Sequence, residues 1–150
     1  ITVDGTVTAN LGSTDNTVLD NIQAAVEKID NNTDMLAYPT ISSSASAAID
    51  CAADTTNQSI VAAQGADTQI WVLGMMGTAG TDAGTITIQD EDDNDFTGDI
   101  PLAENGGFTL PIVADPRFPW FKVPTNKALE IDTATCSFDG IIKYIVVDVS

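Results

Sequence analysis

Short apolar runs alternate with turn residues along most of the chain. The clearest runs are residues 69–76, 85–89, 108–113 and 140–149, and glycine, proline, asparagine or aspartate lies between them. Runs of strand length at such spacing are typical of an antiparallel sandwich or barrel. The predicted strands are residues 47–52, 59–63, 69–76, 85–89, 100–103, 108–113, 120–123, 128–131 and 140–149. We therefore predict an all-β domain of about eight or nine strands.

The N-terminal part has a different pattern. Residues 1–11 alternate as a short strand does, and Gly5 interrupts them. A helix follows over about residues 14–30, where apolar residues recur at steps of three and four. This helix either packs on its own domain or meets copies of itself around a symmetry axis. The interface residues predicted for an oligomer or for attachment are Val18, Leu19, Ile22, Ala25, Val26 and Ile29.

The composition changes near residues 38–46. Ser42–Ser46 reads as a linker of small polar residues, and the strong apolar runs all come after it. The sequence therefore predicts an N-terminal strand-and-helix arm over residues 1–45. A β domain over residues 46–150 follows it.

Charge narrows the range of partners. The chain has 22 acidic and five basic residues, a net charge of −17. Such a surface repels nucleic acid and anionic membranes, and we expect neither as a partner. An acidic protein with few lysines also suits very high salt, where screening weakens self-repulsion. The composition fits a salt-loving source and an ordinary acidic exterior protein equally well.

Candidate catalytic chemistry is scarce. The chain has no histidine, so the commonest general base and metal ligand is missing. Carboxylate pairs alone could support only glycosidase-type chemistry. We predict that the protein is not an enzyme and binds no cofactor, with one exception to consider.

That exception is the acidic run over residues 89–95. Asp90, Asp92 and Asn94 match the first three ligand positions of a calcium loop. The remaining positions do not match, because Asp95 stands where glycine is required and Pro101 where glutamate is required. The run is therefore either a solvated charged turn or a loop that binds Ca²⁺ or Na⁺.

Three aromatic residues lie close together in sequence. Phe118, Trp120 and Phe121 stand among prolines, which predicts a packed corner. The alternative is a surface on which sugar rings stack.

Residues 58–149 resemble small jelly-roll domains on the virions of tailed phages and related archaeal viruses. The resemblance lies in SIVAAQGADTQIWVLGMM, GTITIQD, PLAENGGFTLP, PWFKVPTNKALEI and GIIKYIVVDV. It implies an eight-stranded antiparallel jelly roll and a homotrimer on the virion surface, as a capsid decoration or cement protein. The implied partners are the major capsid protein or other virion proteins. The resemblance supplies no catalytic residues.

Two functional alternatives to a capsid decoration protein stay open. One is a receptor-binding protein at the tip of a tail or fibre, and the other is a carbohydrate-binding module of a secreted protein. A jelly roll of the tumour-necrosis-factor type also places the first strand beside residues 128–131. Cys51 and Cys136 could then form a disulfide, or remain as two buried thiols.

Overall fold

The computed structural model describes residues 13–36 and 38–150, and within the helix it describes the side chains of residues 17–28. The chain divides into two compact units, the second of which is Tyr38–Ser150. The predicted strand over residues 1–11 lies outside the described residues. In the first unit, helix α1 spans Ser13–Leu36, so the predicted helix is confirmed and is longer than expected.

The second unit consists of antiparallel strands in two sheets. The first sheet has the order β1-β9-β3-β6, with β7 also paired to β3, and the second has the order β2-β8-β4-β5. This arrangement confirms an all-β sandwich. The nine strands of the described residues are β1 Thr40–Cys51, β2 Gln58–Val61, β3 Thr68–Ala79, β4 Gly84–Asp90, β5 Ile100–Leu102, β6 Gly107–Leu110, β7 Phe121–Lys122, β8 Leu129–Ala134 and β9 Phe138–Asp148.

The predicted linker is wrong, because Ser42–Ser46 belongs to β1. This strand begins at Thr40 and pairs with β9 along its length, from Thr40 opposite Asp148 to Cys51 opposite Phe138. The predicted boundary at residue 45 therefore falls inside a strand. The second unit instead begins at Tyr38.

The main core lies between the sheets and follows from strand alternation. In β4, Ile86 and Ile88 are fully buried, and in the neighbouring β8, Leu129 and Ile131 are also fully buried. Residues one position away along a strand face the other side of the sheet. Burying these side chains removes apolar surface from water, which is the main favourable contribution to folding.

A second, smaller apolar cluster covers the opposite face of the first sheet. It contains Trp71, Leu73, Ile145 and Val147, with Val113 packed against it. In β3, Ile70 and Val72 belong to the main core whereas their neighbours Trp71 and Leu73 belong to this cluster. The first sheet is therefore apolar on both faces.

Candidate interaction surfaces

Helix α1 presents a stripe of large apolar side chains to solvent. Val18, Leu19, Ile22 and Val26 are each about half exposed, between 49% and 54%, and Ala25 is also exposed. These positions lie on one face of a helix, as the sequence predicts. The sixth predicted residue, Ile29, has a side chain outside the described set. We name the apolar face of residues 18–26 the helix stripe; water contact with it is unfavourable unless another surface covers it.

The outer face of the first sheet contains an apolar groove of about 250 Å³. Met76 and Ile141 are directly paired across β3 and β9, and both are about half exposed. Ile112 closes one side and is 71% exposed. A Cβ atom at Gly74 would lie 2.9 Å from Ile112 Cγ1, so glycine allows this close approach. Lys143 also lines the groove.

The aromatic residues near the prolines divide between core and surface. Phe121 stacks on Phe96 with ring centroids 5.4 Å apart, and both pack against the main core. Phe118 is 70% exposed and Trp120 is 43% exposed, so the predicted packed corner is correct only for Phe121.

Arg117 organises the exposed side of this segment. Its guanidinium group binds the carboxylate of Asp115 at 2.6 Å and lies over the rings of Tyr38 and Phe118, at 4.8 and 5.9 Å from their centroids. The hydrogen bonds from Arg117 lower the pKa of Asp115. The exposed phenyl ring of Phe118 therefore lies beside a paired cation.

Asp90 anchors the acidic loop. Its buried carboxylate accepts hydrogen bonds from the backbone N–H groups of Asp92 and Asn94 at 2.9 and 3.1 Å. The Asn94 side-chain amide donates to both carboxylate oxygens. Burial alone would raise the pKa of Asp90, but the hydrogen bonds from Asn94 and Asp92 and the charge of Lys127 lower it.

These contacts change the interpretation of the predicted calcium ligands. Asn94 turns its amide N–H group toward Asp90, whereas a metal ligand would present its carbonyl oxygen. Asp92 points to Lys127 Nζ, 3.0 Å away. The three residues therefore bind to protein groups in this structure, and Asp90 is not part of a solvated turn.

Lys127 joins the acidic loop to the segment before β8. Its ammonium group also lies 3.2 Å from Glu91, and the other oxygen of Glu91 accepts the backbone N–H of Ala128 at 3.0 Å. We name the loop Glu91–Asp95 together with these contacts the acidic clasp. It is also joined to β4 by the bridge between Gln89 and Asp95.

Glu130 lies near the acidic clasp, close enough for the charges of Glu91 and Asp93 to act on it. The residue is only 8% exposed, and its Oε2 atom has no hydrogen-bond partner among the described residues. Burial raises the pKa of Glu130, and the charges of Glu91, Asp93, Asp132 and Asp90 raise it further. Nothing in the sequence indicates the burial of Glu130, because an acidic residue between Leu129 and Ile131 fits an outward, solvated position.

Two amides hold the neighbouring carboxylates in place. Asn57 donates its backbone N–H to Asp132 at 2.6 Å and its side-chain amide to Asp93 at 2.9 Å. Gln89 donates to the same two oxygens at 3.4 Å. Gln89 is also paired directly with Glu130 across β4 and β8. Glu130 is therefore next to the amide that binds Asp93 and Asp132.

The two cysteines are free thiols in the buried core. Cys51 ends β1, which pairs with β9, whereas β2 is the strand beside β8. The strand neighbourhood expected for a disulfide is therefore wrong. Burial, with the nearby charges of Asp50 and Asp139, raises the pKa of Cys51 to about 11, so its reactive thiolate form is scarce at neutral pH.

Two further kinds of site are absent from the described residues. No set of three or more acidic or cysteine side chains there is arranged to hold a metal ion. No helix there combines the length and apolar character that crossing a bilayer would require. Comparison of the chain with family models, curated proteins and solved structures finds no match.

Proposed function

We propose that this chain is a virion structural protein, a trimeric capsid decoration or cement protein of a bacteriophage or archaeal virus. In this proposal it lies on the virion surface and contacts itself and the major capsid protein or other virion proteins. It acts by binding rather than by catalysis. The acidic, lysine-poor composition supports a halophilic source, because molar salt screens a net charge of −17.

The helix stripe is the observation that carries this proposal. Four large apolar side chains remain about half exposed on one face of α1. Association around a symmetry axis would bury the stripe of each copy against those of the others. The spacing from Val18 to Ile22 to Ala25 is four and then three residues, which is the seam of a helical bundle.

The strand order supports a jelly-roll description of the sandwich. Both β6 and β7 pair with β3, at Met75–Thr78 and at Trp71–Val72, so they count as one interrupted strand. Eight strands then remain, and the first four alternate between the two sheets. Jelly rolls of eight strands are common in viral capsid domains.

The oligomeric state of the full chain provides a direct test. Light scattering in high salt should give a trimer at micromolar concentration. Ile22→Asp places a charge on the helix stripe and should shift the protein to monomers. Ala24→Asp adds the same charge on the opposite side of α1 and should leave the trimer intact. A monomeric wild type, or equal effects of the two substitutions, would contradict a trimer held by this helix.

Binding to particles tests the virion role separately. Purified protein should bind particles stripped of it and reach hundreds of copies per particle. A few copies per particle would instead indicate a tail or fibre tip. Failure to bind at all, with the trimer intact, would reject the decoration role while leaving the helix assignment unaffected.

Carbohydrate binding is a second candidate, favoured by the exposed rings of Phe118 and Trp120. Exposed aromatic rings can stack on the apolar faces of sugars. A glycan array should then show binding that Phe118→Ala removes and that Ile112→Ala, at an exposed non-aromatic position, retains. An array without binding would reject this candidate.

A further inference from the structure

Glu130 combines three properties that are unfavourable for an ionised carboxylate. It is buried, Oε2 has no hydrogen-bond donor among the described residues, and acidic groups surround it. A buried carboxylate without a partner loses its hydration, and no hydrogen bond or ion pair compensates for that loss. The simplest way to remove this cost is to bind a proton.

The surroundings of Glu130 offer acceptors from every neighbouring element. Asp90 lies at the end of β4, Glu91 and Asp93 belong to the acidic clasp, and Asp132 follows on β8 itself. On the β2 side, Ser59 is the paired neutral neighbour. Lys127 is paired with Glu91 and Asp92 and is not among the charges that shift the pKa of Glu130.

We propose that Glu130 is a proton-controlled support of the acidic clasp. With its proton, the carboxyl group is neutral and offers an O–H donor toward the carboxylates of Asp93 and Asp132. When the proton leaves for solvent, a negative charge remains near Glu91 and Asp93. Repulsion then favours lifting the clasp and hydrating Glu130.

The amide contacts explain why loss of the Glu130 proton would move mainly the acidic clasp. Asp132 is fixed on β8, whereas Asp93 belongs to a loop and is tied to the sheet through Asn57 and Gln89. Loop residues can move at lower cost than residues of a central strand. The hydrogen bond from Ala128 N–H to Glu91 should be lost together with these contacts.

The direction of the pH effect follows from the raised pKa of Glu130. The folded protein holds this proton at pH values where the unfolded chain has released it. The stabilising effect is therefore fully present below the unfolded pKa and is lost as the pH rises through the folded pKa. Over that window, the unfolding equilibrium constant should rise by up to about tenfold for each pH unit.

The test compares the full-length wild type with Glu130→Gln at constant ionic strength. The glutamine amide is permanently neutral and can donate to Asp93 or Asp132. Its stability should not show the fall that wild type shows as the pH rises through the folded pKa of Glu130. Glu104→Gln removes one charge from an exposed turn and should retain the wild-type pH dependence.

Two further measurements make the test decisive. The carbon-13 carboxyl signal that Glu130→Gln removes should titrate clearly above the ordinary value of about 4.3. After correction for the intrinsic rise of amide exchange with pH, the protection of the Asn94 and Ala128 amides should fall over the same pH range in wild type alone. An ordinary titration, or parallel pH profiles of wild type and Glu130→Gln, would overturn the proposal. Suppression of the pH effect by millimolar calcium would also overturn it, since a metal ion would then replace the proton.

Discussion

Asp90 and Glu130 carry the same functional group in adjacent strands, but their surroundings differ. N–H groups surround the Asp90 carboxylate, whereas the Oε2 atom of Glu130 lacks a donor among the described residues and faces other acids. Hydrogen bonds favour the charged form of a carboxylate, and burial beside like charges disfavours it. The two pKa values are therefore displaced in opposite directions.

Replacing Asp90 should destabilise the β domain. Asp90→Ala leaves the backbone N–H groups of Asp92 and Asn94 without their acceptor, and we expect a loss of roughly 2–4 kcal/mol in the free energy of unfolding. Chemical denaturation at neutral pH measures this loss. Asp82→Ala, in an exposed turn, should change stability by less than about 0.5 kcal/mol.

The difference in the free energy of unfolding between wild type and Asp90→Ala should depend on pH, which gives an independent check. The pKa of Asp90 is lowered, so its stabilising effect is present above the unfolded value of 3.8 and is lost as the pH falls through the folded pKa. The gap between wild type and Asp90→Ala should therefore narrow only in strong acid. A gap that is constant down to that range would show that Asp90 acts by packing alone.

The exposure or burial of a single side chain could be predicted only where it depends on residues close by in the sequence. The helix stripe follows from spacing within α1, and five of the six predicted interface residues, all but Ile29, have described, exposed side chains. The raised pKa of Glu130 depends partly on Glu91 and Asp93, which lie 39 and 37 positions earlier in the sequence. No local pattern contains that information.

At the scale of elements, the three long strands of the first sheet depend on close backbone approach. Gly140 of β9 lies opposite Ile49 of β1 and Gly77 of β3. A Cβ atom at Gly140 would collide with the backbone carbonyl oxygen of Met76, and it would lie 2.8 Å from the Gly77 Cα atom. The central strand of this sheet therefore requires glycine at this position.

Gly140→Ala should strain the β1-β9-β3 pairing. Backbone atoms cannot rotate away as a flexible side chain can, so we expect a loss of about 1–3 kcal/mol or more. Thermal unfolding measures the loss. Gly98→Ala is the matched control, because its added methyl group would meet no atom within 4 Å. Equal melting temperatures for Gly140→Ala and wild type would mean that the sheet accommodates the methyl group.

Strand prediction succeeded for apolar runs and failed for a polar edge. Residues 69–76 and 85–89 lie within β3 and β4, because their inward side chains form the core. The first half of β1 carries mainly small polar, exposed side chains, and its backbone pairing with β9 holds it in place. Backbone pairing of this kind leaves little trace in the sequence. The apolar run of residues 140–149 lies largely within β9, where Ile142 belongs to the main core and Ile145 and Val147 belong to the second cluster.

At the scale of the whole molecule, charge is the dominant property. The chain has five basic and 22 acidic residues. The described ion pairs use only Arg117 and Lys127 as cations. Exposed pairs of this kind contribute little to stability. Most of the acidic groups therefore repel each other without local compensation, and the folded state holds them closer together than the unfolded chain does.

Salt should therefore stabilise the protein. The Debye length falls from about 10 Å at 0.1 M to about 3 Å at 1 M, which screens repulsion between surface carboxylates. The melting temperature should rise steadily between low and molar sodium chloride. Asp67→Asn, Asp82→Asn and Glu104→Gln together remove three exposed charges, changing the net charge from −17 to −14. The triple variant should melt higher than wild type in low salt and respond less to added salt. Equal salt responses would indicate a general salting-out effect on apolar surface, and a falling melting temperature would show that attractive ion pairs outweigh repulsion.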